Sequence, residues 1–124
     1  SQFFVIKILE GNNFYGLNSN ITLKIIKDVN FLKDGEKRGA VLAAICAAPT
    51  VLNCAGLLSG KQFTCYPGFE QNIDGVFKTD KVVQDGNIFT SRGMGTAIDL
   101  GLQLVEKLFD KTKSDELAKT IIYR

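Results

Sequence analysis

The chain has 124 residues, of which 45% are hydrophobic and 23% are charged, and its formal net charge is +2. This length predicts a single domain over residues 1–124 with a substantial core, and the composition excludes a disordered or low-complexity protein. Neither a nucleic-acid nor a membrane partner is expected, because the net charge is small and no apolar run approaches about 18 residues, so the cytoplasm is the default location.

The first half of the chain alternates strands and helices. Residues 3–9 are β-branched and aromatic, which predicts a strand that ends at the loop Gly11-Asn12. Apolar residues recur at helical spacing over 20–35, and the pair at positions 34 and 35 is expected to end that helix. The apolar run 40–45 predicts a buried strand, and a proline at the first helical position introduces a helix over 49–57.

Shorter elements are predicted in the second half. Residues 62–66 are typical of a short strand, and residues 69–74 of a turn or a short helix. Two further strands, 82–84 and 87–91, flank Asp85-Gly86, a dipeptide typical of tight turns, so a β-hairpin is predicted here.

Two helices are predicted to end the chain, one over 97–109 with Thr96 as a possible cap and a short one over 114–123. Alternating strands and helices predict an α/β layered domain with a mainly parallel sheet. In such sheets binding sites lie beyond the carboxyl ends of the strands. The predicted strand ends that could converge on one pocket are Gly11-Asn12, Cys46, Tyr66-Pro67 and Arg92-Gly93.

The chain has three cysteines and no histidine. Cys46, Cys54 and Cys65 lack the close pairing and the neighbouring histidines of a zinc site, so we expect no metal and a reduced compartment. The absence of histidine removes the usual base of a cysteine protease. Any nucleophile in this chain therefore needs a different activator.

Cys46 falls at the turn between the strand 40–45 and the helix that follows. A thiol at this turn faces the helix N-terminus, whose N–H groups and dipole favour the thiolate, and the N–H of Ala47 is suited to stabilise an oxyanion. Alternatively, Cys46 is a small buried hydrophobe, as most cysteines outside disulfides are. The flanking alanines, Pro49 and the carboxyl edge of the sheet favour the reactive role. Cys54 and Cys65 are expected to be structural thiols.

Each of the other candidate residues has a simple structural alternative. Gly11-Asn12 could supply a second oxyanion donor, although a plain turn is the favoured interpretation. Tyr66 could line a pocket or pack in the core. Arg92 and the spacing Gly93-x-Gly95 only weakly resemble a phosphate loop, so an ordinary loop is favoured. Glu10 and Glu70 lie near predicted strand ends and could orient a thiol, but surface carboxylates are commoner.

Three motifs in linked order resemble the DJ-1/ThiJ/PfpI superfamily, over about residues 20–123: AAICAAPTVL, AGLLSGKQFTCYPGFE and VVQDGNIFTSRGMGTAIDLGLQLVEKL. The matching branch contains bacterial ThiJ-like proteins and the Parkinson-disease protein deglycase. The resemblance implies a flavodoxin-like three-layer α/β sandwich with a mainly parallel sheet, related to class I glutamine amidotransferases. It also implies a homodimer.

The resemblance assigns roles to several residues. It implies that Cys46 is the reactive cysteine, that Ala47 supplies the elbow amide and that Tyr66 lies in the substrate pocket, with Pro67 and Arg92 beside it. Family members act as glyoxalases or deglycases on methylglyoxal-type compounds, as cysteine-oxidation sensors and as chaperones. No metal or organic cofactor is implied.

The chain departs from the family pattern in three places. The loop SRGPGT is replaced by residues 91–96, in which Met94 takes the place of a proline near the dimer contact and the pocket. The loop LPGG aligns with residues 9–12, which puts Asn12 where a glycine normally supplies an oxyanion amide. Family members begin with a strand and a glutamate that hydrogen-bonds the sulfur. No counterpart precedes Ser1, so we expect a domain that is N-terminally incomplete relative to the family.

The sequence therefore leads to two hypotheses. In the first, the thiolate of Cys46 adds to the aldehyde of a small 2-oxoaldehyde, and the hemithioacetal rearranges and is hydrolysed to a hydroxy acid. In the second, the protein is a non-catalytic redox sensor or chaperone in which Cys46 is oxidised. Protease activity ranks third, because no histidine is present.

Overall fold

A computed structural model describes the backbone of residues 3–7 and all of residues 29–124. Its strands are β1 Phe3–Lys7, β2 Val41–Ile45, β3 Gln62–Phe63, β4 Val76–Phe77, β5 Val82–Asp85 and β6 Ile88–Ser91. Its helices are α1 over residues 29–37, α2 Pro49–Cys54, α3 Ala97–Leu108 and α4 Lys111–Thr120. Short 3-10 helices lie at Phe69–Asn72 and Met94–Thr96.

The main sheet has four strands in the order β1-β2-β6-β5. The strands β1, β2 and β6 are parallel, and β5 is antiparallel to β6. This arrangement confirms the predicted mainly parallel sheet and the predicted hairpin. The hairpin loop is Gly86-Asn87 rather than Asp85-Gly86, because Asp85 pairs with Ile88 and Gly86 adopts a φ of 61°, which suits a glycine.

Strand β2 lies between two helical layers, and all five of its residues are buried. Alternate residues of a strand face opposite sides of the sheet. Leu42 and Ala44 pack in one core cluster with Leu32 of α1 and Leu52 of α2. On the other face, Val41, Ala43 and Ile45 pack with Phe89, Leu100 and Leu104. The structure therefore confirms a three-layer α/β/α sandwich, with α1 and α2 on one side and α3 on the other.

Two helices end at glycines that the sequence did not single out. Helix α1 runs to residue 37 instead of ending at position 35, because Gly39 adopts the left-handed conformation with a φ of 73°. The hydrogen bonds from Gly39 N to Glu36 O and from Ala40 N to Gly35 O close a Schellman motif. Helix α2 ends at Cys54 rather than at residue 57, because Gly56 adopts the same conformation.

Helix α4 begins earlier than predicted. Its first residue is Lys111 rather than residue 114, because the side chain of Asp110 accepts a hydrogen bond from Lys113 N at 2.7 Å and caps the helix. Within the part of the chain that the structure describes, no helix combines the length and the apolar character needed to cross a membrane.

The segment predicted as a strand over 62–66 forms only two residues of regular strand. Gln62 and Phe63 pair in parallel with Val76–Phe77 in a separate two-stranded sheet, and β4 was not predicted. The next residue, Thr64, donates its N–H to Thr90 Oγ1 at 2.8 Å instead of to a backbone carbonyl. A side-chain hydroxyl thus replaces a ladder bond where this segment meets the main sheet. The predicted short helix over 69–74 is present as the 3-10 helix Phe69–Asn72.

Candidate active site

The chain reverses direction at Cys46, directly after β2. Cys46 adopts a φ of 65°, in the left-handed region that residues with a side chain avoid at a cost of roughly 1–3 kcal/mol. Its N–H donates to Ser91 O at 3.0 Å, and its carbonyl accepts from Tyr66 N at 2.9 Å. Two neighbouring segments therefore hold the backbone of Cys46 on both sides, so that the strained conformation persists.

The thiol of Cys46 is half-buried and packs at the edge of the α3-side core cluster. It lies at the carboxyl end of a parallel strand, the edge at which such sheets hold their sites. Helix α2 has only six residues, so its dipole is smaller than that of the longer helix predicted from the sequence. The strained turn and the sheet edge are thus the principal features of this position.

The amide of Ala47 lies next to the thiol. The Ala47 carbonyl accepts hydrogen bonds from Thr50 N at 3.1 Å and Thr50 Oγ1 at 2.6 Å, which fixes the orientation of the turn. No described residue accepts a hydrogen bond from the Ala47 N–H. Among the described residues this N–H thus has no acceptor, and an amide in this position is suited to stabilise negative charge on an oxygen bound beside the sulfur.

Tyr66 and Pro67 lie where a neighbouring segment is hydrogen-bonded to the turn at Cys46 and Ala47, which we call the elbow. The Tyr66 side chain is 44% exposed, and its ring lies against Gly93 and meets the ring of Phe69 edge-on at 6.3 Å. Pro67 is exposed. Tyr66 therefore packs on one side and faces solvent on the other, beside Cys46.

Arg92 links the end of β6 to residues 62–66, which contain β3 and are called the β3 segment below. Its Nε donates to Cys65 O at 3.2 Å, and its guanidinium carbon lies 5.8 Å from the centroid of the Phe77 ring. Met94, two residues later, is 81% exposed. Arg92 thus anchors the loop after β6 to the segment that contains Cys65. The interpretation of Gly93-x-Gly95 as an ordinary loop stays a prediction.

Two hydroxyl groups that the sequence did not assign to the site hold this loop. Ser91 is fully buried, donates its Oγ to Lys81 O at 2.6 Å and lies 2.6 Å from Thr96 Oγ1. Thr96 stands at the N-cap position of α3, as predicted, but its hydroxyl contacts Gly93 N at 3.1 Å and Gly93 O at 2.9 Å. Its side chain therefore closes the loop and does not cap the helix.

Cys65 lies in the segment that is hydrogen-bonded to the elbow. Burial raises the pKa of the Cys65 thiol to about 11, assisted by the negative charges of Glu70 and Cys46 and opposed by Arg92. Glu70 itself accepts a hydrogen bond from Gly68 N at 2.7 Å, so its carboxylate closes a local turn. Cys65 was expected to be structural. Its nearness to Cys46 depends on a tertiary hydrogen bond that no local sequence signal reveals.

Gly11 and Asn12 lie outside the described residues, so their role as a second oxyanion donor stays a prediction. Within the described residues, no group of three histidine, cysteine, aspartate or glutamate side chains is arranged to hold a metal ion. The candidate site that can be described therefore consists of Cys46, Ala47, Tyr66, Pro67, Arg92 and Met94.

Comparison with protein families gives one match that covers most of this chain. The model of the DJ-1/PfpI family matches residues 19–107. Over 117 residues the chain is 41% identical to Protein dj-1beta of Drosophila melanogaster, and the match covers 92% of this chain and 59% of that protein. It is 35% identical to the Glutathione-independent glyoxalase DJR-1.2 of Caenorhabditis elegans, over 73% of this chain and 50% of that protein. The chain thus spans about half the length of these relatives.

Solved structures share the same fold. A crystal structure of Drosophila melanogaster DJ-1beta superposes with a TM-score of 0.71 at 43% sequence identity. The superposition covers 76% of this chain and 52% of that chain.

Proposed function

The chain belongs to the DJ-1/PfpI family, and from this premise we propose that it carries out glyoxalase- or deglycase-type chemistry on 2-oxoaldehydes or their adducts. The observation that carries the proposal is the left-handed turn at Cys46, at the carboxyl end of a fully buried strand. Such a turn presents a nucleophile to a ligand and puts the following amide beside it. The relative named as a glutathione-independent glyoxalase also supports this chemistry.

In the proposed reaction, the Cys46 thiolate attacks the aldehyde carbon of methylglyoxal, and the carbonyl electron pair moves onto oxygen. The Ala47 N–H stabilises this oxyanion. Protonation gives a hemithioacetal, and transfer of the proton on the former aldehyde carbon to the neighbouring carbonyl carbon converts it into a thioester of lactate. Water then hydrolyses the thioester, which releases lactate and restores the thiol. The balance is one methylglyoxal and one water to one lactic acid.

The remaining candidate residues would form the wall of the pocket. Two segments meet the backbone of Cys46, one ending at Cys65 and the other at Ser91. The residues that follow them are Tyr66 and Pro67 in the first case, and Arg92 and Met94 in the second. A small carbonyl compound would lie between these residues and Cys46. Gly11 or Asn12 would supply the second oxyanion donor. A reduced compartment such as the cytoplasm suits a protein whose described cysteines form no disulfide.

The test is release of lactate from methylglyoxal by the full chain. We expect Cys46→Ala to reduce lactate formation by at least about 100-fold, because the covalent intermediate can no longer form. The matched control is Cys54→Ala, which removes an exposed thiol at the end of α2 and is expected to retain the wild-type rate. Lactate formation that survives Cys46→Ala would contradict the proposal.

A second candidate function is that of a non-catalytic redox sensor or chaperone. It is favoured by the partial exposure of Cys46, since hydroperoxides can reach a residue that is not fully buried. Under this alternative the wild-type chain releases no lactate, and mild peroxide oxidises Cys46 first. Mass spectrometry that finds Cys54 or Cys65 oxidised before Cys46 would contradict it.

We also propose a homodimer as the working state. The strong exposure of Met94, at the family position near the dimer contact, supports an apolar surface there that a second copy would cover.

A further inference from the structure

Two cysteines approach each other where β2 and the β3 segment end. The hydrogen bond from Tyr66 N to Cys46 O, at 2.9 Å, joins the two segments as neighbouring strands are joined, at a spacing of about 4.8 Å. Cys65 directly precedes Tyr66. The backbone therefore brings Cys46 and Cys65 close to the Cα separation of about 4.4–6.8 Å that disulfides require.

The electrostatics of the site agree with this approach. The negative charge of Cys46 contributes to the raised pKa of Cys65, and charges act on each other strongly only over short distances. The exposed thiol of Cys54, at the other end of α2, has no such influence on Cys65. Two of the three thiols thus form a neighbouring pair.

We propose that Cys65 resolves the oxidised form of Cys46 by forming an intramolecular disulfide with it. In the first step the Cys46 thiolate attacks an oxygen of a hydroperoxide: an S–O bond forms, the O–O bond breaks, and Cys46 becomes a sulfenic acid. The other oxygen of the peroxide leaves with the electron pair of the O–O bond and takes up the proton that the Cys46 thiol released, which gives water when the oxidant is hydrogen peroxide. In the second step the sulfur of Cys65 attacks the sulfur of Cys46. The S–S bond forms, the S–O bond breaks, and the departing hydroxide takes the Cys65 proton as water. Two thiols and one hydrogen peroxide give one disulfide and two waters.

The two thiols have different roles because their burial differs. Cys65 is fully buried in the core cluster on the α1 and α2 side, so an oxidant in solution does not reach it directly. Cys46 is half-buried and packs against the opposite cluster. The left-handed backbone at Cys46 must therefore shift before the Cβ atoms of the two cysteines can converge and the bond can form. Oxidation therefore enters at Cys46 and reaches Cys65 only through it.

This pairing protects Cys46 from irreversible oxidation. A sulfenic acid that meets no thiol is oxidised further to a sulfinic acid, which ordinary thiols do not reduce. A disulfide can be returned to two thiols by exchange. The inference requires that Cys46 be oxidised, but it does not require turnover of an aldehyde.

The experiment treats the reduced full chain with hydrogen peroxide and maps the peptides without reduction. Cys46 and Cys54 share the tryptic peptide 39–61, whereas Cys65 lies on the peptide 62–78, so the map uses Cys54→Ala as its background. We expect a crosslink between these two peptides within one molecule, with the loss of two hydrogens, and we expect dithiothreitol to remove it.

The comparison variant is Cys65→Ala in the same background. We expect at least about tenfold more sulfinic acid on Cys46 in this variant than in the parent, because the resolving thiol is gone. Circular dichroism establishes that the variant is folded, and trapping of the sulfenic acid with dimedone in the parent gives a readout that needs no change at Cys65. The proposal would be overturned by equal amounts of sulfinic acid on Cys46 in both proteins, or by a crosslink that forms only between molecules. It would also be overturned if dimedone captured all of the sulfenic acid on Cys46 in the parent and no disulfide to Cys65 formed in competition. Because the lactate assay is separate, failure there leaves this result unaffected.

Discussion

At Cys46 the left-handed backbone conformation has a measurable cost. Residues with a Cβ lose roughly 1–2 kcal/mol in this region, whereas glycine adopts it freely. We therefore expect Cys46→Gly to have a free energy of unfolding about 1 kcal/mol higher than that of Cys46→Ala, measured by urea denaturation.

The matched control is Cys54, which lies in α2 with ordinary helical geometry. There the order reverses: Cys54→Ala is expected to be more stable than Cys54→Gly by roughly 0.5–1 kcal/mol, because glycine is a poor helix former. If alanine is also the more stable residue at position 46, the strain at the elbow is absent in solution.

Individual residues show how far the sequence predicts the site. The position of Cys46 between a strand and a helix could be predicted, because an apolar run precedes it and a proline at the first helical position follows. The neighbourhood of Cys65 could not, since it depends on the hydrogen bond between Tyr66 and Cys46. The buried hydroxyl of Ser91 gave no signal in the sequence either, because its contacts with Lys81 and Thr96 form only in the folded chain.

Among the secondary elements, the small sheet of β3 and β4 depends on a close backbone approach at Gly75. A Cβ at this position would lie 2.7 Å from Leu58 O, 2.8 Å from Lys61 O and 2.9 Å from Phe63 Cδ1. Two of these atoms belong to the backbone and cannot move away easily. We expect Gly75→Ala to lower the free energy of unfolding by about 2 kcal/mol or more, measured by urea denaturation.

Gly101 provides the opposite case. It lies on the exposed face of α3, and a Cβ there would meet nothing within 4 Å. Gly101→Ala is expected to stabilise the protein by roughly 0.5–1 kcal/mol, through the higher helix propensity of alanine. Equal effects of the two substitutions would show that the contacts around Gly75 relax.

The elements also show which boundaries a sequence can specify. The core strand β2 and the hairpin were predictable from apolar runs and a turn dipeptide. The ends of α1 and α2 were not, because two glycines near each end were equally acceptable: Gly35 and Gly39 for α1, and Gly56 and Gly60 for α2. Packing selects Gly39 and Gly56 for the left-handed position. The two-residue strand β4 is too short to carry a periodic signal.

At the scale of the whole molecule, the three-layer order follows from one strand that is buried on both faces. That arrangement was predictable, because a run without polar residues requires a cover on each side. The expectation that a second copy covers exposed apolar side chains comes only from the family resemblance, since exposure alone does not identify what binds.

The proposed homodimer leads to a prediction at this scale. Met94→Glu puts a charge on the surface expected to contact a second copy, so we expect the dimer to dissociate at least about tenfold more readily, as measured by sedimentation velocity over a range of concentrations. Ile122 is the matched control, because it is 91% exposed and lies after α4. Ile122→Glu is expected to leave the association unchanged. Equal effects of both substitutions would contradict an interface at Met94.

The bond from Cys46 N to Ser91 O has a practical consequence for spectroscopy. The hydroxyl of Ser91 is itself held by Lys81 O and lies against Thr96, so the loop, the hairpin and the elbow share one chain of hydrogen bonds. We therefore expect the amide proton of Cys46 to exchange slowly with solvent, and its chemical shift to respond to a displacement of the loop. A ligand that binds near Tyr66 or Met94 would thus be detected at the Cys46 amide by nuclear magnetic resonance, without any label on the sulfur.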